Sequence, residues 1–394
     1  MIHNEVSPDL MKKSAVIFVV LLGLVSLFAD MTYEGARSIT GPYLAVLGAN
    51  AAIVGFVAGF GEFIGYGLRV LSGYIADRTR RYWLITIAGY ICNLLAVPLL
   101  ALVNHWWWAA VLIVLERTGK AIRTPARDAM LSHAGDRMGM GWGFGLHQAL
   151  DQTGAMMGPL LVAFVLYEKQ GYHAAFALLL VPAVLALILL TIARRLYPHP
   201  QTLALPSTHL ETTPFNSKIY RYYLIGAGLV AAGYADFPLI AYHFEKTKVL
   251  SMTWIPIAYA IAMGVDALAS LLLGRLYDKI GFVILILVTL GACLFAPLVF
   301  LGNFSWALTG VILWAVGMGA HESLMRAAIV PMVPAEMRAS AYGVFNAGFG
   351  ISWFLGSVLM GVLYDISIPI LVIFSVTIQL IAIPLLYKVM KYKR

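Results

Sequence analysis

Acidic and basic residues recur at helical spacing inside stretches of this sequence that are otherwise apolar. Asp30, Glu34 and Arg37 follow steps of four and three, and Glu116, Lys120, Arg123 and Arg127 steps of four, three and four. His147, Asp151, Gly154 and Gly158 repeat the four, three, four pattern, and Glu322 and Arg326 stand one turn apart. Residues three or four apart share one face of a helix. An ionisable side chain at the centre of a bilayer costs about 2.5–3.5 kcal/mol. These residues must therefore line an interior cavity or pair across helices, and the chemistry open to them is proton carriage and ligand binding.

Taking a carboxylate out of water disfavours its charged form. Asp30 has no positive residue one turn before it, and Asp236 is similarly unpaired along its own segment. Asp30 is thus the first candidate for a proton site, followed by Glu34, Glu116 and Glu322. His147 and His321 are side chains of a type that titrates near neutrality, with polar packing as the alternative. Arg117, Lys120 and Arg326 suit an anionic group, although nearby acids almost balance their charge. Tyr33, Asp151, Asp236 and Asn346 complete the candidate cavity set. Trp142, Tyr234, Trp314 and Tyr342 suit cavity walls, interfacial anchoring or packing.

Each stripe also has a plainer reading. Glu116–Lys120 and Glu322–Arg326 fit intrahelical ion pairs, Glu34–Arg37 a pair at the rim, and Glu62–Arg69 a pair along the second apolar segment. Arg123 and Arg127 fit contacts to loops or lipid headgroups. Asp266 suggests no specific role.

The elements that hold these residues follow from composition. The chain has 394 residues, of which 61% are hydrophobic and 12% charged, with a mean hydropathy of +0.84. Soluble domains carry about 25% charged residues, so most of this chain must face lipid. A helix needs about 20 apolar residues to cross the hydrocarbon core. Twelve segments qualify: 14–35, 51–72, 82–103, 106–126, 141–166, 172–193, 220–243, 251–274, 281–301, 304–330, 339–362 and 367–388. The expected fold is therefore all-α and polytopic. The first segment follows Lys12 and Lys13, exceeds 20 residues and lacks a small-residue cleavage site, which favours a retained span over a secretory signal.

The loop charges are lopsided. Given a cytoplasmic start, seventeen basic residues fall on the side of the termini: Lys12, Lys13, Arg78, Arg80, Arg81, Arg127, Arg137, Arg194, Arg195, Lys218, Arg221, Lys279, Arg338, Lys388, Lys391, Lys393 and Arg394. Only Arg37, Lys169, Lys246 and Lys248 fall on the other. This bias puts both termini in the cytoplasm. It also accounts for the net charge of +8 as a topology signal directed at anionic headgroups, with no nucleic acid required.

The polar stretch Arg194–Arg221 holds Pro198, Pro200, Pro206 and Pro214. It separates a first bundle of six spans, 1–193, from a second, 220–394, through a cytoplasmic linker, 194–219. Echoes across the linker indicate duplication. Gly73-Tyr-Ile-Ala-Asp77-Arg78 returns as Gly274-Arg-Leu-Tyr-Asp278-Lys279, Ala29-Asp30 as Ala235-Asp236, and Cys92 and Pro98 as Cys293 and Pro297. Internal repeats of this kind characterise secondary transporters, which bind solute between the repeats.

Gly73 to Arg81 resembles the loop signature of the major facilitator superfamily: glycine, aspartate, then a basic cluster. Arg80 departs from it, since the family usually has glycine there, whereas the second copy keeps its glycine at Gly281 but lacks the trailing basic residues. The resemblance implies two six-helix bundles around a cavity lined by spans one, four, seven and ten. It implies a gating latch at Gly73, Asp77, Arg78 and Arg81, echoed at Gly274, Asp278 and Lys279, with Arg127 as a partner. The alternative is that these arginines are topology charges alone. Gly154-Ala-Met-Met-Gly158-Pro159 resembles the GxxxGP core found in proton-driven export members, without the glycine pair that ends the fuller pattern; GxxxG also serves ordinary helix packing.

No phosphate-binding loop with its lysine, HExxH or paired CxxC is present, so ATP-driven transport has no support and no cofactor is expected. His321 and Met325 form only a weak pair of metal ligands. Cys92 and Cys293, in separate apolar segments, suit neither a disulfide nor a metal. The reading that results is a monomeric secondary transporter of a small solute, coupled to protons, in a bacterial inner (plasma) membrane. Export by antiport is preferred and uptake by symport is the alternative. A membrane enzyme acting on lipid through the same carboxylates and histidines is the competing class.

Overall fold

The computed structural model describes residues 8–138, 140–169, 171–199, 217–329, 332–333 and 338–392. Every regular element among them is helical. The first five spans are α1 (Pro8–Val46), α2 (Ala51–Thr79), α3 (Tyr82–Leu99), α4 (Trp106–Met138) and α5 (Met140–Tyr167). The sixth is interrupted at Leu179, as α6 (Gly171–Leu178) and α7 (Leu180–Leu196), and the seventh is divided into α8 (Ser217–Ala232) and α9 (Phe237–Thr247). Then come α10 (Trp254–Ile280), the ninth span as α11 (Val283–Ala292) and α12 (Phe295–Leu301), α13 (Phe304–Ala327), α14 (Arg338–Ile366) and α15 (Ile368–Tyr392).

Among the described residues, eleven stretches are long and apolar enough to cross a membrane. The remaining span, α4, is 33 residues long but carries Glu116, Arg117, Lys120, Arg123 and Arg127, and the first two and Arg123 are buried. Its charge is turned into the protein, so hydropathy understates it.

The sequence pattern predicts one continuous seventh helix over 220–243, whereas the structure breaks it at 233–236. Ser375 Oγ and Gln379 Nε2 donate to the Gly233 carbonyl at 2.6 and 3.1 Å, taking the acceptor that a continuing helix would use. Asp236 then caps α9, accepting from the Phe237 N–H at 3.1 Å, and Pro238 follows in the first turn, where a proline costs no hydrogen bond.

The two ends of the bundle differ. At the Asn50 end the first six spans meet the last six closely. A Cβ on Gly55 would overlap the Ser357 carbonyl oxygen, one on Gly41 the Pro238 carbonyl oxygen, and one on Gly361 the Ala51 carbonyl oxygen. At the Arg80 end Val70, Leu71, Tyr74 and Ile75 of α2 are exposed, and nothing lies within 4 Å of where a Cβ on Gly274 or Gly343 would stand. The molecule is closed at the Asn50 end and loosened at the Arg80 end.

Candidate functional site

The charged residues of α1, α2, α4 and α5 gather in a series of contact clusters along the interior. Arg37 Nη2 reaches Asp236 Oδ1 at 2.8 Å and Glu62 Oε1 at 3.0 Å. Glu62 also holds Arg117 Nη1 at 3.4 Å, and Arg117 Nε stands 3.3 Å from Glu116 Oε2. The other Glu116 oxygen accepts from Asn93 Nδ2 at 2.9 Å. Trp353 Nε1 donates to the second Asp236 oxygen at 3.3 Å. Charge-assisted contacts at these distances are strong, and this group joins the first half of the chain to the second through Asp236. Beside it a cavity of about 30 Å³ is lined by Tyr33, Arg37, Glu116, Arg117 and Asp236, with Leu44 and Leu100 at its apolar side. That volume admits a water molecule.

Farther along α1, towards the Arg80 end, the partners are looser. Glu34 accepts from Tyr259 Oη of α10 at 2.5 Å but stands 3.6 Å from Lys120 Nζ. Lys120 lies 3.9 Å from the centre of the Tyr33 ring, a cation–π contact. Asp30 is 4.0 Å from Arg123, and Asp151 is 4.0 Å from Arg127. Asp30 and Asp151 each keep a buried oxygen, Oδ1, that has no hydrogen-bond partner. Arg123 stacks over Tyr90 at 4.3 Å, while Arg127 donates to Ser26 Oγ at 3.0 Å, and Ser26 shares a 2.9 Å hydrogen bond with His147 Nε2. Lys120 and Asp151 both keep 21% of their side chains accessible, so a solute or a proton can reach them.

The close approach of α1 and α5 has a local cause. Gly154 and Gly158 lie against the backbone of Leu27 and Met31, whose carbonyl oxygens a Cβ would overlap. The GxxxGP stretch therefore holds α5 close against α1 beside Asp30, with Asp151 one turn before the first of the two glycines.

Several expectations change. Asp236 and Asp30, unpaired along their own helices, have partners from other spans: Arg37 for the first, Arg123 for the second. Glu116 pairs with Arg117 and Asn93 while Lys120 turns to Glu34, so the intrahelical Glu116–Lys120 pair does not form. Glu34–Arg37 and Glu62–Arg69 likewise give way to cross-helix partners, and Arg69 lies over the Tyr66 ring at 5.5 Å. The expected Arg127 contact to Asp77 is absent: Arg127 holds Asp128 at 2.9 Å, Asp77 accepts from Tyr82 Oη at 3.4 Å, and Arg78 donates to Tyr74 Oη. Gly73 faces Pro125 of its own half, and Arg81 and Lys279 are exposed. The side chains of Asp278, Trp142, Glu322 and Arg326 lie outside those described.

In the second half His321 is enclosed by rings, with centroids of Tyr234 at 4.4 Å, Phe349 at 6.0 Å and Trp353 at 6.1 Å. Met325 is buried, and among the described residues no group of three His, Cys, Asp or Glu side chains could hold a metal. Asn346 Oδ1 is buried without a hydrogen-bond partner. Residue spacing did not single out Tyr259, Trp353 or Asn93, because each acts on a partner in another span. Glu62 was visible as a charge in an apolar run, but its partners were not.

Twelve spans with buried charge between two six-span sets have clear relatives. The Major Facilitator Superfamily model matches residues 22–357. The chain belongs to that superfamily. An uncharacterized protein of Mycobacterium tuberculosis is 40% identical over 378 residues, covering 94% of this chain and 92% of the relative. An uncharacterized MFS-type transporter of Methanocaldococcus jannaschii is 28% identical over 383 residues, covering 93% and 92%. Among solved structures, a mutant of the nucleoside transporter NupG superposes with a TM-score of 0.76 at 15% identity, covering 93% of this chain and 99% of that one. The expected fold and family are borne out, and this major facilitator protein is a multi-pass membrane transporter.

Proposed function

We propose that the protein is a proton-coupled secondary transporter that moves a small solute by alternating access, exporting it by antiport. The observation that carries this reading is a pair of carboxylates inside the spans, Asp30 on α1 and Asp151 on α5, each 4.0 Å from its arginine and each with a buried oxygen, Oδ1, that accepts no hydrogen bond. A carboxylate taken out of water and left short of donors favours taking up a proton, and the protonated form can itself donate. The two lie beside a face that Lys120 and Asp151 leave accessible. Departure of the proton restores a charge that Arg123 and Arg127, each now 4.0 Å from one of them, draw in to meet. A proton bound in one state and released in the other biases the two states differently, as a population shift requires.

The basic loops assign the Arg80 end to the cytoplasm, which makes the present state inward-open. The two six-span halves, 1–193 and 220–394 joined by 194–219, rock about the Asp236 seam in this reading. Export is preferred because Gly154–Pro159 resembles the motif of export members and here holds α5 close against α1 beside Asp30.

The experiment begins with a ligand-stabilisation screen of purified protein across organic anions, cations, sugars and amphiphiles. Flux of the best binder is then followed in proteoliposomes with and without a pH gradient. Asp30→Asn is expected to abolish gradient-driven flux while substrate exchange persists. Undiminished coupling in that variant removes Asp30 from the proton role, and a chemically altered lipid in place of flux supports the enzyme class.

A further inference from the structure

The first turn of α2 exposes amide groups that a helix cannot satisfy from within. Their partners can be counted. Val54 N–H bonds the Asn50 carbonyl at 3.1 Å, the first bond of the helix itself. Ile53 N–H is taken by the Asn50 side chain at 2.9 Å. The remaining two, Ala51 and Ala52, donate to the two oxygens of Asp365 at 3.2 and 2.9 Å. Asp365 is at the far end of α14, in the other half of the molecule. One carboxylate from the second half thus completes the cap of a helix in the first, and its negative charge meets the positive end of the α2 dipole.

The surrounding contacts make this bond depend on the state of the transporter. α2 and α14 pack along each other, and at this end Gly55 and Gly361 let the two backbones touch, with Ser357 and Ala51 on the facing sides. Tyr172 Oη also crosses between the halves, donating to Glu245 Oε2 at 3.2 Å. At the opposite end of the same two helices, Asp77 near the finish of α2 is held, among the described residues, by Tyr82 at 3.4 Å. The two helices run antiparallel, so each brings a carboxylate near its last turn to the end where the other begins.

We propose that Asp365 is a positioning residue of the transport cycle, a latch that holds the Asn50 end shut by capping α2 from the opposite half. It releases when that end opens. Because Asp365 is exposed, water replaces it when it leaves, so the latch biases the equilibrium modestly. A charged cap on exposed amides sets about a two- to fivefold ratio between the states.

The inference rests on the alternating-access reading, and its test separates the two. Spin labels at Val46→Cys and Lys246→Cys report the Asn50 end, and labels at Thr79→Cys and Ile280→Cys the Arg80 end. Both pairs are placed in a chain carrying Cys92→Ala and Cys293→Ala, reconstituted in lipid nanodiscs. Distance distributions by electron–electron resonance are expected to gain long Asn50-end distances about two- to fivefold in Asp365→Ala. The gain is smaller in Asp365→Asn, which keeps an acceptor, and Asp365→Glu reverts towards the parent. A parent chain with one fixed distance at each end, at every pH and with every ligand from the screen, breaks alternating access and this inference with it. A parent that alternates, with populations unchanged in Asp365→Ala, overturns the latch alone, even if that variant melts at a lower temperature.

Discussion

The interiors of the two halves are built from different materials. In the first six spans the described interior is a series of charge clusters, Glu62 with Arg117 and Glu116, Lys120 with Glu34, Asp30 with Arg123 and Asp151 with Arg127. In the last six it is a stack of rings, with Phe237 on Tyr259 at 4.2 Å, Tyr234 on Phe295 at 5.0 Å and Phe349 on Trp353 at 5.7 Å. A charge cluster changes partners when one proton moves. Packed rings, which hold their places by shape and dispersion, do not. In the proposed mechanism the chemistry of coupling resides in the first half, and the second supplies a firm surface for it to move against, with Asp236 and Tyr259 as the polar hands it extends.

The sharpest way to break this contrast is to exchange the consequences of damage. Trp314 is buried, and its indole N–H donates to the Ala235 carbonyl at 2.9 Å, so it braces the seventh-span break. Trp314→Ala is expected to destabilise the protein by about 3–5 kcal/mol, read as a fall in the unfolding midpoint in detergent, with the pH dependence of transport preserved. Altered pH dependence there would mean that the ring stack takes part in coupling. Next in size, Asp236→Ala leaves Arg37 with Glu62 alone. Removing one member of a buried pair costs about 3–5 kcal/mol, and the lower figure is expected because Glu62 remains. Arg37→Met combined with Asp236→Leu should recover part of that loss in the same melt while leaving the two halves unjoined. Smaller again in stability, Asp30→Asn and Asp151→Asn should each melt within about 1 kcal/mol of the parent yet lose the pH gradient's drive on flux.

The smallest effect concerns the repeat itself. Arg80 sits at φ 54 at the end of α2, its N–H bonded to the Ala76 carbonyl at 2.8 Å, and Gly281 ends α10 at φ 64 with a 2.8 Å bond to Tyr277. Both copies turn through the left-handed side, but only one uses the residue that does so without steric cost. Arg80→Gly is expected to raise stability by about 0.5–1 kcal/mol, detectable as a small rise in melting temperature. No rise would show that the Arg80 side chain earns its place by a contact of its own.

Much of this was written in the sequence in a form that local periodicity can read. Apolar runs near 20 residues mark the spans, and steps of three and four place Asp30 with Glu34, and Glu116 with Lys120, on single faces. The Gly73 and Gly274 copies mark the duplication. What periodicity cannot read is which face meets which. Spacing along α4 joins Glu116 to Lys120, yet Lys120 finds Glu34 and Glu116 finds Arg117 and Asn93, because span-to-span distances decide between acceptors of equal chemistry. The seventh-span break was hidden for the same reason: Ser375 and Gln379, which take the Gly233 carbonyl, lie some 140 residues away along the chain. Spacing did not single out Asp365, because its task is set by a helix that starts more than 300 residues earlier.

Asp236 Oδ1 receives two donors, the guanidinium of Arg37 from across the seam and the amide of Phe237 from its own backbone. A single oxygen thereby ties the winding of a helical turn to the docking of one bundle on the other. Whatever neutralises or withdraws that oxygen should fray the start of α9 as the bundles part, so deuterium uptake at the Phe237 amide would rise and fall with the transport cycle, a backbone clock for a motion of whole domains.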